Sequence, residues 1–226
     1  MSAAPDPDED LRHRIAGTDI YLLDQILAGR FPKGSRILDA GCGGGRNIAW
    51  FLRSGYDVSA IDRDPHAVAA LREAARGLAP DSSDDRFRAE PIEACSFQDE
   101  SFDAVLAIAV LHFASTDAEL DAMLASLARV LRPGGTLFIR TATSIGIEDR
   151  IRPLPGRASE RVFELPDGST RYLLDEEEIL ARTAALPGEL LAPVKTTNVQ
   201  GLRCMTTWVA RKTGSTVEAS TSGTDS

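Results

Sequence analysis

From residue 36 onward the chain alternates between two hydrophobic periods. Short apolar runs, each closed by an acidic or glycine-rich break, are separated by stretches whose apolar positions recur at helical spacing. Residues 36–40 predict a buried strand, 44–54 a helix and 58–62 a second strand. Residues 65–77 predict a second helix, with Asp64 as its N-cap and Pro65 at the first helical position, where a missing N–H costs nothing. A short strand is expected at 86–89. Residues 102–109 are continuously apolar but for Asp103, the pattern of a strand covered on both faces in the middle of a parallel sheet. Over 117–131, Leu120, Leu124, Leu127 and Leu131 make a helical stripe, and Arg132-Pro133-Gly134-Gly135 turns the chain into a fifth strand at 136–141. Strands alternating with helices predict an α/β fold, a doubly wound and mostly parallel sheet with helices on both faces.

The rhythm changes at residue 142. Residues 142–160 show little periodicity and hold Gly146, Pro153, Pro155 and Gly156, so a long loop is expected, of the kind that is usually functional in a compact domain. Residues 161–165 and 170–174 flank Pro166-Asp167-Gly168, a hairpin signal. Asp175 caps a helix that runs to about residue 185. Residues 194–199 and 204–211 alternate and are rich in β-branched side chains, which predicts an antiparallel hairpin at one sheet edge. Upstream, Ile15, Ile20, Tyr21, Leu22, Leu23, Ile26 and Leu27 place one or two amphipathic helices within residues 10–30. These pack on the sheet edge, with Tyr21 and Gln25 as candidates to cover a ligand cleft. The organisation expected is one domain over residues 10–212, with 142–174 as a loop and hairpin lid, between disordered tails at 1–9 and 213–226.

Composition narrows the class. At 226 residues the chain is long enough for one sizeable α/β domain, and 43% hydrophobic with 26% charged residues is ordinary for a globular protein. A net charge of −9 argues against nucleic acid, whose phosphates call for a basic footprint. Cys42, Cys95 and Cys204 are odd in number and widely spaced, and His13, His66 and His112 share no ligand spacing with them, so neither a disulfide framework nor a metal site is expected. No apolar run approaches membrane-spanning length and the first ten residues are acidic and polar, so neither a membrane nor a leader peptide is expected and the cytoplasm is the default setting.

The chemistry concentrates where the first apolar run ends. Asp39 is followed by Gly41, Gly43, Gly44 and Gly45, a strand–loop–helix arrangement that brings backbone close to a small ligand. Asp62 closes the next run about 20 residues past the first glycine, the spacing of a ribose-binding acid in a nucleoside-binding βαβ unit. A phosphate-cradling P-loop requires lysine and Ser/Thr after its last glycine, and Arg46-Asn47 stands there instead. A dinucleotide fingerprint requires glycine at its sixth position, which is Arg46.

Taken together the motifs resemble those of the class I S-adenosylmethionine-dependent methyltransferases. Ile37-Leu38-Asp39-Ala40-Gly41-Cys42-Gly43-Gly44-Gly45 looks like the family's first motif and Ala60-Ile61-Asp62-Arg63-Asp64 like its acidic second motif. Ser101-Phe102-Asp103-Ala104-Val105 and Ala109-Val110-Leu111-His112-Phe113 match its fourth-strand motif, and Leu127-Ala128-Arg129-Val130-Leu131-Arg132-Pro133-Gly134-Gly135 the helix and turn that precede the fifth strand. The resemblance implies a seven-stranded Rossmann-like sheet and S-adenosylmethionine as cofactor. It implies cofactor contacts at Asp39, Gly41, Gly43, Asp62, Arg63 and, through backbone, Ile108. The family's acidic residue at the adenine site aligns with Pro91, so Ile92 is left as a backbone donor. Glu90 has two readings, a ligand to the exocyclic amine or a solvated strand-end carboxylate. A looser resemblance, in compact size and leading helix, is to the tellurite-resistance branch of these methyltransferases.

For the methyl acceptor, positioning alone supplies most of the catalysis of an in-line displacement, so no covalent nucleophile is expected. His112, just after the fourth strand, is either a general base or a histidine packed at the cleft wall. Residues 150–161 hold Arg150, Arg152, Arg157 and Arg161 against Glu160 alone. Arg152 and Arg157, with Tyr172 of the hairpin, are candidates to bind a small anionic acceptor, and the alternative is that the arginines pair with Glu148, Asp149, Glu160 and Glu164. The function expected is methyl transfer to a small molecule, with a non-catalytic S-adenosylmethionine-binding regulator as the alternative.

Overall fold

The computed structural model describes residues 7–186 and 188–214. In chain order the helices are α1 (Pro7–Ile15), α2 (Ile20–Leu27), α3 (Ala49–Arg53), α4 (Pro65–Leu78), α5 (Asp117–Val130) and α6 (Glu176–Ala185). The strands are β1 (Arg36–Ala40), β2 (Asp57–Asp62), β3 (Phe87–Ala89), β4 (Phe102–Ile108), β5 (Leu131–Thr143), β6 (Arg152–Pro153), β7 (Val162–Glu164), β8 (Thr170–Tyr172), β9 (Gly188–Leu190), β10 (Lys195–Val199) and β11 (Arg203–Lys212). The main sheet has the order β10-β11-β5-β4-β1-β2-β3, with β9 added on β11. Strands β1 to β5 pair in parallel, whereas β11 pairs antiparallel with β5, β9 and β10. The strand order reverses at β1, between β2 and β4. That is the switch point at which open α/β sheets leave a crevice beyond their strand ends.

Alternation sorts the side chains between two cores. Leu38 of β1, Val105 and Ala107 of β4, and Leu137 and Ile139 of β5 pack with Leu120, Leu124 and Leu127 of α5 and Ile179 of α6. Ile37, Ala104, Leu106, Ile108 and Phe138 pack on the other face with Leu22 of α2, Phe51 and Leu52 of α3, and Val68 and Leu71 of α4. The expected Leu120-Leu124-Leu127 stripe is therefore core. Residue 39 continues the Ile37 side of β1 and residue 140 the Phe138 side of β5. Both are charged where the rows below them are apolar.

Three parts differ from the sequence expectation. The helix expected from residue 44 begins at Ala49, because Gly43 and Gly45 take positive φ (50° and 77°) and extend the loop. The sheet has eight strands rather than seven, since β9 adds a three-residue strand. Residues 142–160 are not one loop: β5 runs on to Thr143, and β6 pairs with β7 to make β6-β7-β8 a separate three-stranded antiparallel sheet. The expected hairpin is β7–β8. The tail expected at 1–9 has Pro7 to Glu9 in α1, and residues 1–6 and 215–226 of the two tails lie outside the described residues.

Candidate active site

The glycine loop folds tightly at the ends of β1 and β2. The N–H groups of Gly41 and Cys42 both donate to the Ile61 carbonyl, at 2.8 and 3.0 Å. Gly41 sits at φ +79°, and a Cβ there would lie 2.7 Å from Val110 Cβ, so this glycine is required by its neighbour in the fold. At Gly43 and Gly44 a Cβ would meet nothing within 4 Å, so the loop presents bare backbone to open space. Asp62 Oδ2 accepts the Gly43 N–H at 2.8 Å and its Oδ1 accepts the Asp64 N–H at 2.9 Å. The carboxylate thus clasps the two loops together while each oxygen keeps a second lone pair.

Asp39 stands behind this loop. It is 1% exposed, and neither carboxylate oxygen has a hydrogen-bond partner. Burial first, then the nearby Asp62 charge, push its pKa up to about 7 against a smaller opposing pull from Arg46. A buried carboxylate without a donor is a liability unless a cation or donor comes to it. A ligand that carries an ammonium and a sulfonium beside a nucleoside fits both features, the orphaned acid and the open backbone at Gly43.

The remaining expected cofactor residues are spread along the same strand ends. Ile108 ends β4 and is buried, followed by Ala109 at φ +58°, an uncommon conformation outside glycine. Ile92 is buried and begins a short 3₁₀ turn. Glu90, expected either as a ligand to the exocyclic amine or as a solvated strand-end carboxylate, is half-buried just past β3. Its oxygens accept the Ser96 N–H and Oγ–H at 3.0 and 2.7 Å, fastening residues 90–96. Arg63 is exposed and lies 3.6 Å from Glu119 at the start of α5.

Beyond the loop, a cavity of about 240 Å³ opens above β4 and β5. Arg46, Arg140, Arg171 and Arg203 line it against two carboxylates, Asp19 and Asp167. Arg140 is the most enclosed of the four. Its Nε lies 2.9 Å from Asp19, its guanidinium stacks 4.1 Å from the centre of the Tyr21 ring, and its buried Nη1 has no partner. The Tyr21 hydroxyl in turn accepts a hydrogen bond from Thr197 of β10. Gln25 is turned to Asp24 and Arg30. Arg203 forms no ion pair with any described residue. Sequence reasoning missed this group. A charged residue at the end of the apolar run 137–139 was a signal for Arg140, whereas Arg171 and Arg203 belong to separate hairpins that only the tertiary fold brings together.

His112 is 6% exposed and borders both this cavity and a second one of about 180 Å³ lined by Phe113, Arg157 and Tyr172. Its Nδ1 accepts the Ala142 N–H at 3.2 Å. Burial first, then the charges of Arg171 and Arg203, hold its pKa down at about 4, so the ring is neutral at ordinary pH. With Nδ1 accepting, the single ring proton is on Nε2. The acceptor residues expected from residues 150–172 are largely committed elsewhere. Arg152 is exposed and paired with Glu164, as the alternative reading of these arginines has it. Tyr172 is buried, and its hydroxyl donates to Asp117 Oδ1 at 2.9 Å, an oxygen that Ser159 Oγ also reaches. Arg157 alone of the three borders a cavity through an exposed side chain without an ion pair among the described residues.

Residues 38–139 match the family described as "Methyltransferase domain". The chain is 32% identical over 189 residues to the ubiquinone biosynthesis O-methyltransferase of Sinorhizobium fredii, an alignment that covers 80% of this chain and 69% of that one. Of two further curated proteins of that name it spans 65% and 49%. Among solved structures, a methyltransferase from Methanosarcina mazei superposes with a TM-score of 0.68 at 24% identity, over 83% of this chain and 97% of that one. The Burkholderia thailandensis 1,6-didemethyltoxoflavin-N1-methyltransferase, solved with S-adenosylhomocysteine bound, gives 0.64 at 23% identity over 92% and 83%.

Proposed function

The chain belongs to the S-adenosylmethionine-dependent methyltransferases, and we propose that it transfers the methyl group to a small, anionic acceptor held in the arginine-lined cavity above β4 and β5. The observation that carries the acceptor's charge is the set of four arginines against two aspartates, with a buried Arg140 Nη1 that no group of the protein satisfies. Guanidinium groups bind oxyanions bidentately and are harder to leave unpaired in a half-buried site than in water. The curated relatives are O-methyltransferases by name, which supports an oxygen acceptor. A cytoplasmic setting belongs to the same reading and rests on three buried, unpaired thiols.

When bound, the cofactor supplies an electrophilic methyl on a sulfonium. The residues do the rest. Asp39 offers the ligand's cationic end an acid that is otherwise unpartnered, Gly43 admits the ligand's body against bare backbone, and Asp62 has lone pairs left for ribose hydroxyls. Arg140, fixed by Asp19 and Tyr21, is held in place before the acceptor arrives, so little side-chain entropy is lost on binding. Arg203 supplies charge from the rim. Arg203→Glu raises the acceptor KM by at least about tenfold, the magnitude of a lost charge-assisted hydrogen bond, and leaves the cofactor KM unchanged. Arg152→Ala, which removes an arginine already paired with Glu164, leaves both unchanged. Steady-state kinetics with labelled cofactor and a panel of small anionic acceptors read both outcomes. An Arg203→Glu enzyme with wild-type acceptor KM contradicts the anionic reading.

A further inference from the structure

The acceptor cavity is lined by charged and titratable groups from every element around it, and none of them is placed to take a proton at neutral pH. Asp39, whose pKa is pushed up to about 7, lies behind the glycine loop, does not line this cavity and is taken up by the cofactor's cationic end in the reading above. Asp19 accepts the Tyr21 N–H on one oxygen and pairs with Arg140 through the other. Asp167 accepts both the Ser169 N–H, at 2.9 Å, and the Ser169 hydroxyl, at 2.6 Å, and these bonds hold its carboxyl below the usual range. Tyr172, at the neighbouring cavity, donates its hydroxyl proton to Asp117, and burial first raises its pKa further from neutrality. Arg46, Arg140, Arg157, Arg171 and Arg203 carry protons they do not release. That leaves His112, whose Nδ1 lone pair is used by the Ala142 N–H, so the other ring nitrogen is a donor.

From this arrangement, and resting on the methyltransferase reading above, we infer that the acceptor is a carboxylate, that His112 holds it by one oxygen through Nε2–H, and that the reaction uses no general base. A carboxylate brings its own negative charge to the arginines and has no proton to lose. Its second oxygen forms the O–CH3 bond as the S–CH3 bond breaks, and the electron pair of that bond stays on sulfur. The products are a methyl ester and a neutral thioether, and no proton moves. A phenol would have to surrender one proton per turnover to a group the cleft lacks, and a protonated amine would enter a field of arginines.

The test has two parts. In wild-type protein saturated with S-adenosylhomocysteine, ¹⁵N NMR of the three histidine rings over pH 5.5 to 8 shows one, absent in His112→Gln, that stays neutral with its proton on Nε2. In turnover, aromatic and aliphatic carboxylates are set against phenols of the same skeleton, with labelled cofactor and a pH indicator. The result expected is label that mild base releases as methanol, with no proton produced per methyl transferred. His112→Phe then raises the carboxylate KM about 10- to 100-fold. His112→Gln, which restores a donor and an acceptor, recovers most of that loss, and both variants bind S-adenosylhomocysteine as wild type does. A His112 that titrates within that range, or base-stable label on phenols with one proton per turnover, overturns the inference while leaving the methyltransferase reading intact. Failure of the wild-type protein to bind S-adenosylhomocysteine strikes at that reading instead.

Discussion

Three of the four glycines within residues 41–45 have three different reasons to be glycine. Gly41 needs its positive φ and the space that Val110 would otherwise contest. Gly45 also has positive φ and packs against Leu71 of α4, so it sets how closely α4 approaches the loop. Gly43 has positive φ but open space above it, which is the signature of a surface kept bare for a ligand. The two ends of this range separate experimentally. Gly41→Ala loses stability through both strain and overlap, by about 2–4 kcal/mol in urea denaturation. Gly43→Ala carries only the conformational term, about 1 kcal/mol, yet weakens S-adenosylhomocysteine binding by more than tenfold in calorimetry. Equal stability losses with no difference in binding would contradict the assignment of Gly43 to the ligand surface. Asp39 was legible beside them as an acid at the end of an apolar run. That both its oxygens are left without a donor was not, because hydrogen-bond satisfaction is a property of the packed structure.

At the scale of elements, the small β6-β7-β8 sheet is fastened to the body of the protein at Asp117, the first residue of α5. Its Oδ1 accepts from Tyr172 of β8 and from Ser159 ahead of β7, and these bonds hold its carboxyl below the usual range. Arg161 adds ion pairs to Asp175 and Glu178 at the start of α6, at 3.1 and 2.8 Å. The sheet is therefore anchored at one end, while Leu165, Asp167, Ser169 and Arg171 reach the arginine-lined cavity from the other. Tyr172→Phe loses a hydrogen bond to a charged acceptor and lowers stability by about 1.5–3 kcal/mol, read as a shift in urea midpoint at unchanged slope. The acceptor KM stays within about threefold of wild type, since the hydroxyl is spent on Asp117. The β7–β8 hairpin was readable from Pro166-Asp167-Gly168 and its flanks. Strands β6 and β9 were not, being two and three residues long and defined by their partners rather than by any period of their own. The start of α3 was misplaced because glycines at 43 and 45 read as permissive, and only the structure shows them spent on loop geometry.

For the whole molecule, the parallel sheet of β1 to β5 came through the sequence because all its strands but the three-residue β3 hold an apolar run with a marked end, and the longer helices between them carry clear stripes. The proposed cofactor end of the site came with it, since Asp39, Gly43 and Asp62 sit at or just past strand ends within that regular region. The acceptor end did not. Its arginines come from the end of β5, the glycine loop, β8 and the start of β11, and nothing local to any one segment says that they share a cavity. A molecule with a net charge of −9 thus carries an arginine-lined pocket over its sheet, where nearby guanidiniums would draw in the proposed anionic acceptor although the molecule as a whole repels it. Salt is therefore predicted to matter to acceptor binding and much less to the cofactor, for which a buried acid and backbone are the proposed contacts.

The central claim, that this strand-end crevice is an S-adenosylmethionine site built on Asp39, has a direct measurement. In the free protein Asp39 is half protonated near pH 7, and its folded pKa is raised, so below that value the proton must leave before a cationic ligand can use the carboxylate. Isothermal titration of S-adenosylhomocysteine between pH 5.5 and 8, in buffers of different ionisation heat, is predicted to show one site per chain. Affinity rises with pH up to about 7 and then levels, up to one proton is released on the acid side, and both effects vanish in Asp39→Asn, which binds about 10- to 100-fold more weakly. Binding that is pH-independent and unchanged in Asp39→Asn, or no binding at all, would contradict the account.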